Sequence, residues 1–311
     1  MLFRSEHSCN GYHDLFAELQ GPVVADVAMN FIERWNQARI TRERSHAFPS
    51  LEEANDLTPI LIPEPSGHCD VQLVRTICKQ LYYGEAGWHA DERFDLYGGE
   101  DSIRRSVLDA IGCARTSIYL ENQFLMDPET IDELARAAKR GVEVIAVVPF
   151  QPDPNLLLYP EDKMRQTHAA LARLAREQRV GLFGLVHERD LTRPIYVHAK
   201  LLVVDDRVLQ LGSANFWPPS YNRDSELNVV IWDPMVASDT RSRLWDEHLL
   251  GIQATGLDDW RRLARNAEDA RATGARATTR LAEIDPQRYY VFGEHVVAPW
   301  DALRERQEIG R

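Results

Sequence analysis

Between residues 101 and 251 the apolar pattern switches repeatedly between a period of 3.6 and a period of 2. 101-DSIRRSVLDAIGCA-114 opens on a helix cap and continues amphipathic, and 117-SIYLE-121 reads as a strand. 128-PETIDELARAAKRG-141 is a helix started by proline and stopped by glycine, followed by the buried strand 142-VEVIAVVP-149. 161-EDKMRQTHAALARLAREQ-178 is a further helix and 180-VGLFGLV-186 a strand. Strand 226-ELNVVIW-232 and helix 236-VASDTRSRLWDEHLLG-251 close the unit. This alternation predicts an α/β fold with a mostly parallel or mixed sheet flanked by helices on both faces.

The flanks are less regular. 22-PVVADVAMNFIERWN-36 has helical spacing with a proline in its first turn, and residues 41–70 are polar and proline-containing, a linker or long loop. Beyond about residue 255 the chain is rich in Ala and Arg, which predicts a peripheral helix. YYVFGEHVVAPW near the end reads as a strand pair or a docking tail. The 311 residues, 44% of them hydrophobic, suffice for one or two domains with a real core. No apolar run approaches the roughly 18 residues that span a bilayer, and MLFRSEHSCNGYHD lacks the apolar core of a signal peptide. Cys9, Cys69, Cys78 and Cys113 have no CxxC spacing, so idle thiols are expected instead of a disulfide or zinc framework. A net charge of −12 argues against a dedicated nucleic-acid binder.

Chemistry concentrates in 197-VHAKLLVVDDRVLQLGSAN-215. On a strand, His198, Lys200, Leu202 and Val204 share one face. If Asp205-Asp206 forms a two-residue hairpin turn, Ser213 stands opposite His198, about 5 Å away between Cβ atoms, and Asn215 continues that face. An imidazole, an ammonium, a hydroxyl and a carboxamide then meet at one mouth of the sheet. Lys, Ser and Asn donate to phosphate oxygens, and histidine moves a proton near neutral pH. No pair of acids with a nearby histidine surrounds the motif and the donors already supply positive charge, so neither metal nor cofactor is expected.

The spacing H-x-K-x4-D-x6-G-S-x-N is met without mismatch by His198, Lys200, Asp205, Gly212, Ser213 and Asn215, and it resembles the signature of the phospholipase D superfamily. 118-IYLENQF-124 resembles that family's strand before the catalytic loop, 223-RDSELNVVI-231 the segment after the motif, and 244-LWDEHLLG-251 the following helix. 12-YHDLFAELQGPVVADVAMNFIERWN-36 resembles the stretch that follows the first of two such motifs. The resemblance implies a phosphodiesterase built on a histidine pair, one from each motif. In it His198 protonates the leaving alcohol and later activates water or an alcohol, while Lys200 and Asn215 bind the equatorial oxygens. Ser213, next to Gly212, is a weaker substrate contact, and Asp205 supports the hairpin. Glu226 orients a histidine, that of the opposite motif, or is a solvated strand-start residue. His13 and Asp14 resemble residues just after the first motif.

That first motif is missing from these 311 residues. Lysine occurs only at positions 79, 139, 163 and 200, and Ile77, Ala137 and Glu161 stand two residues before the first three. The expected organisation is a remnant of the first half with a linker over 1–60, one catalytic half-domain over 61–251 and a helical tail over 252–311. The leading expectation is the C-terminal part of a two-motif enzyme hydrolysing or transferring phosphatidyl groups, cytoplasmic or peripheral on a membrane. Its partners are then a phospholipid or other phosphodiester and either the missing first-motif half or a second copy. The alternatives are a single-motif homodimeric phosphodiesterase or nuclease, and an inactive phosphoester-binding remnant. Phe216, Trp217 and Tyr221, and the loop 150-FQPDPNLLLYP-160, are read either as lipid contacts or as ordinary packing.

Overall fold

The predicted alternation folds into one long mixed sheet with helices on both sides. The computed structural model describes residues 11–41, 57, 58, 60–89, 92–151, 160–286 and 289. In chain order it begins with β1 (Tyr12–His13), α1 (Val23–Thr41), β2 (Asp70–Ile77), β3 (Gly87–His89), β4 (Glu92–Phe94) and β5 (Glu100–Asp101). Then come α2 (Ser102–Cys113), β6 (Ser117–Asn122), α3 (Pro128–Lys139), β7 (Glu143–Val147), α4 (Glu161–Leu174), β8 (Val180–His187) and β9 (Asp190–Val197). The remainder is β10 (Lys200–Val204), β11 (Val208–Gly212), α5 (Pro218–Asn222), β12 (Glu226–Trp232), α6 (Pro234–Leu249), α7 (Leu257–Ala272) and β13 (Leu281–Glu283).

The sheet runs β1-β9-β8-β7-β6-β10-β11-β12-β2-β5, with β13 added to β8, while β3 and β4 form a separate hairpin. The β6–β7 and β7–β8 pairs are parallel because α3 and α4 carry the chain back between them. Alternate residues serve opposite faces. Ile118, Leu120, Val144 and Ala146 pack with buried residues of α2, α3 and α4. Tyr119, Ile145, Val147, Leu201 and Val203 pack with Trp245 of α6 and Trp260 of α7. Asp127 caps α3 by accepting the Thr130 N–H, and Asp233 caps α6 by accepting from Met235 and Val236.

Strands from residues 1–60 and 252–311 join the sheet of the central segment, β1 at one edge and β13 on β8. Two expectations need correction. The helix beyond residue 255 is not peripheral, since Trp260 of α7 is fully buried in the second core. The hairpin loop is one residue longer than predicted. Val204 pairs with Val208 and Leu201 with Leu211, whereas the predicted register sets Lys200 opposite Leu211. Asp205 and Asp206 do take φ of +53° and +52°, and the Arg207 N–H reaches the Val204 carbonyl at 3.0 Å, as in a type I′ turn. Arg207 then adds one unpaired residue. Residues 152–159 of the leucine-bearing loop, and all of the tail motif except Tyr289, lie outside the described residues.

Candidate active site

His198 is not on a strand. β9 ends at Val197 and β10 starts at Lys200, although β9 lies beside β8 and β10 beside β6. The chain therefore moves from the margin to the middle of the sheet across His198 and Ala199. Both N–H groups released there are taken by the His13 carbonyl, at 2.8 and 3.2 Å. β1 lies parallel to β9, with Tyr12 opposite Tyr196 and His13 opposite Val197. The next residue, Asp14, places a carboxylate oxygen 2.8 Å from His198 Nδ1.

His198, Lys200, Gly212, Ser213 and Asn215 line one cavity of about 510 Å³ together with Asp14. Its other wall is apolar, formed by Leu15, Phe16, Leu73, Leu211, Leu227 and Val229 among others. Lys200 Nζ donates to the His198 carbonyl and to Gln123 Oε1, the latter at 3.2 Å. Asn215 Nδ2 donates to the same Gln123 oxygen at 3.3 Å. Gln123 thus sets the spacing of the ammonium and the amide donor, a role the bare motif does not reveal. Asn215 Oδ1 is buried with no hydrogen-bond partner.

The remaining motif residues act on the scaffold. Asp205 accepts four bonds, from the N–H groups of Arg115, Thr116 and Ser117 and the Thr116 hydroxyl, at 2.7–2.9 Å. Burial alone would raise its carboxyl, but these donors hold it below the usual carboxylate range. Gly212 is required by close approach, because a Cβ there would sit 2.3 Å from the Leu227 carbonyl oxygen. Ser213 Oγ donates to Glu226 at 2.5 Å and accepts the Leu227 N–H at 3.0 Å, so its one proton is already committed. Ser220 donates to the other Glu226 oxygen at 2.6 Å. Burial pushes the Glu226 carboxyl up, against the pull of these two hydroxyls. Phe216 and Tyr221 are buried core residues, and Trp217 packs on Phe124 with ring centroids 4.8 Å apart, which favours packing over lipid contact.

Burial lowers the Lys200 ammonium to about 8, against the opposing pull of Asp14 and Glu226. The charged form is therefore present below pH 8 and lost above it. Binding of dimethyl phosphate, which keeps one charge over this range, is expected to weaken about tenfold between pH 7 and pH 9. In Lys200→Met it should be weak and flat across the range. An NMR titration that finds equal affinity at both pH values in the parent chain would contradict this assignment.

Behind the cavity, and absent from the expected site, lies a buried cluster. Glu121 accepts from His13 Nε2 at 2.5 Å and lies 2.9 Å from His248 Nε2, and the Tyr119 hydroxyl donates to it as well. Among the described residues these three, His13, Glu121 and His248, are the set whose donor atoms converge as metal ligands would. The two His–Glu121 contacts are hydrogen bonds, too close together for zinc ligands. Zinc ligands at 2.0–2.1 Å stand about 3.3 Å apart in a tetrahedron, wider than these hydrogen bonds.

Comparison with known proteins points to one family. A model described as "Cardiolipin synthase, PLD-like domain" matches residues 107–247, and one described as "Phospholipase D" matches residues 4–139. Phospholipase D1 of Schizosaccharomyces pombe is 28% identical over 309 residues, covering 80% of this chain and 22% of that protein. Human phospholipase D1 is 27% identical, covering 71% and 24% respectively. Phospholipase D alpha 1 of Brassica oleracea is 26% identical, covering 79% and 41%. The chain thus spans about a fifth to two-fifths of these relatives' lengths. Among solved structures, the phospholipase D family member Nuc of Salmonella typhimurium has a TM-score of 0.40 at 24% identity, covering 58% of this chain and 93% of that one. Phosphatidylserine synthase of Haemophilus influenzae has a TM-score of 0.42 at 12% identity, covering 81% and 48%. The chain belongs to the phospholipase D superfamily. Among the described residues no helix is long and apolar enough to cross a membrane.

Proposed function

We propose that this chain carries the second-motif half of a phosphodiesterase active site that hydrolyses or transfers phosphatidyl groups. The observation that supports it most is the convergence of His198, Lys200 and Asn215 on one cavity, with Asp14 on His198 Nδ1. With Nδ1 held by a carboxylate, Nε2 is the nitrogen that exchanges a proton with substrate. A histidine from a first motif attacks phosphorus and the P–O bond to the leaving alcohol breaks. His198 gives its Nε2 proton to that oxygen. In the second half-reaction His198 takes the proton of water or an acceptor alcohol, whose oxygen displaces the first histidine from phosphorus. Lys200 and the Asn215 amide stabilise the equatorial oxygens. In this reading Glu226, which accepts from Ser213 and Ser220, orients the incoming histidine, and Asp205 and Gly212 hold the hairpin.

The apolar cavity wall and the exposed Tyr12, Phe16 and Phe31 suit a phosphodiester with an apolar body, and a docking surface for the half that bears the first motif. Only Lys200 among the four lysines follows a histidine at the motif spacing, so the nucleophile comes from outside these 311 residues. Adding a first-motif fragment in trans should restore turnover of phosphatidylcholine, and should fail with His198→Ala. Failure with the parent chain, despite a fragment shown to bind, would count against the reading.

A further inference from the structure

Glu121 sits on β6 with no exposure, and among the described residues no Lys or Arg pairs with its carboxylate. Burial would raise its carboxyl, yet the charges and hydrogen bonds of His13 and His248 outweigh that and hold it far below the usual range. Such a cluster is a poor way to gain stability, since apolar residues of similar volume usually do as well or better. Its position suggests another use. Of the three residues 12–14, only His13 is buried; Tyr12 is 62% exposed and Asp14 about half exposed. β1 is two residues long and lies at the sheet edge, so its backbone pairing alone is weak. The His13 ring is its anchor, and Glu121 is what the anchor holds.

From that anchor two contacts reach the catalytic turn. The His13 carbonyl takes the N–H groups of His198 and Ala199, and Asp14 takes His198 Nδ1. A slip of β1 by one residue would turn His13 outward and carry Asp14 away from the imidazole. We infer that Glu121, gripped by His13 and His248, is a positioning residue that fixes the His198 backbone and ring through His13 and Asp14. Facing this cluster are the Tyr119 hydroxyl from its own strand, Glu247 of α6 at 3.8 Å from His13 Nδ1, and Arg280, which lies 3.7 Å from Glu247. The catalytic consequence rests on the phosphodiesterase reading; the contact itself does not.

The test is amide hydrogen exchange in the full chain without substrate, so it stands apart from any activity assay. In Glu121→Gln the His198 and Ala199 amides are expected to lose protection by about 100-fold more than the β7 amides, whose loss reports the change in overall stability. Val107→Ala, a cavity in the core on the α2 face, should lower β7 protection without singling out residues 198 and 199. If Glu121→Gln does not fold, Tyr119→Phe removes one bond to the same carboxylate and should lower protection at 198 and 199 selectively, by about tenfold. Protection that falls equally at 198, 199 and β7 in the folded variant would reduce Glu121 to a structural residue and overturn the inference. So would a stoichiometric divalent metal in the purified chain by mass spectrometry.

Discussion

Replacing His198 by alanine is expected to lower turnover of the reconstituted two-motif enzyme by about 10²–10⁴-fold on a phospholipid whose leaving group is an unactivated alcohol. The size of the loss should depend on that leaving group. An alkoxide needs the Nε2 proton as the P–O bond breaks, whereas p-nitrophenolate departs nearly unaided. The first half-reaction on a p-nitrophenyl phosphodiester, read as the burst of p-nitrophenolate, should therefore slow by no more than about tenfold in the same variant. Asp14→Asn, which keeps a side chain near Nδ1 but removes its charge, should fall between parent and alanine variant on the alkyl substrate. Equal losses on both substrates would mean that His198 does not act as the acid.

Glu121→Ala is expected to remove about 3–5 kcal/mol of stability, read as a lower urea midpoint, because it leaves a buried imidazolium at His13 without its counter-charge. The pH dependence follows from the shifts. Burial would lower the His13 imidazole, but Glu121 and then Glu247 raise it to about 10 from 6.5. With the folded value above the unfolded one, its contribution is complete below pH 6.5 and is lost as pH rises through about 10. The Glu121 carboxyl is depressed, so its contribution is complete above pH 4.5 and is lost as pH falls below that. The gap between parent and variant should be widest between pH 4.5 and 6.5 and narrow on either side. A gap that keeps widening toward pH 10 would contradict this ionisation.

Much of this is legible in the sequence because it is local. Strand and helix periods place β6, β7, β8, β12, α2, α3, α4 and α6, and the motif picks out His198, Lys200 and Asn215 by spacing alone. The hairpin register is not legible, because the turn residues predict the left-handed dihedrals of Asp205 and Asp206 but not the extra residue after them. Ser213 reads as a phosphate donor because its commitment to Glu226, 13 residues away, depends on how β11 meets β12. The Asp14–His198 contact spans 184 residues and the Glu121–His248 contact 127. Both exist only once β1 has joined β9 and α6, packed on β10–β12, has brought His248 to β6. Their signals are present, as His13-Asp14 and the Glu-Asn-Gln run ending β6, without anything local to join them.

The central claim is that one motif makes half a site, and the phosphodiesterase rate of the chain alone against its concentration tests this most directly. The account predicts a rate near background at every concentration, rising only when a first-motif fragment is added and saturating as that fragment binds. Robust turnover that is linear in a chain shown to be monomeric would contradict the two-histidine mechanism, and a rate rising with the square of concentration would instead place both histidines in two copies of this chain.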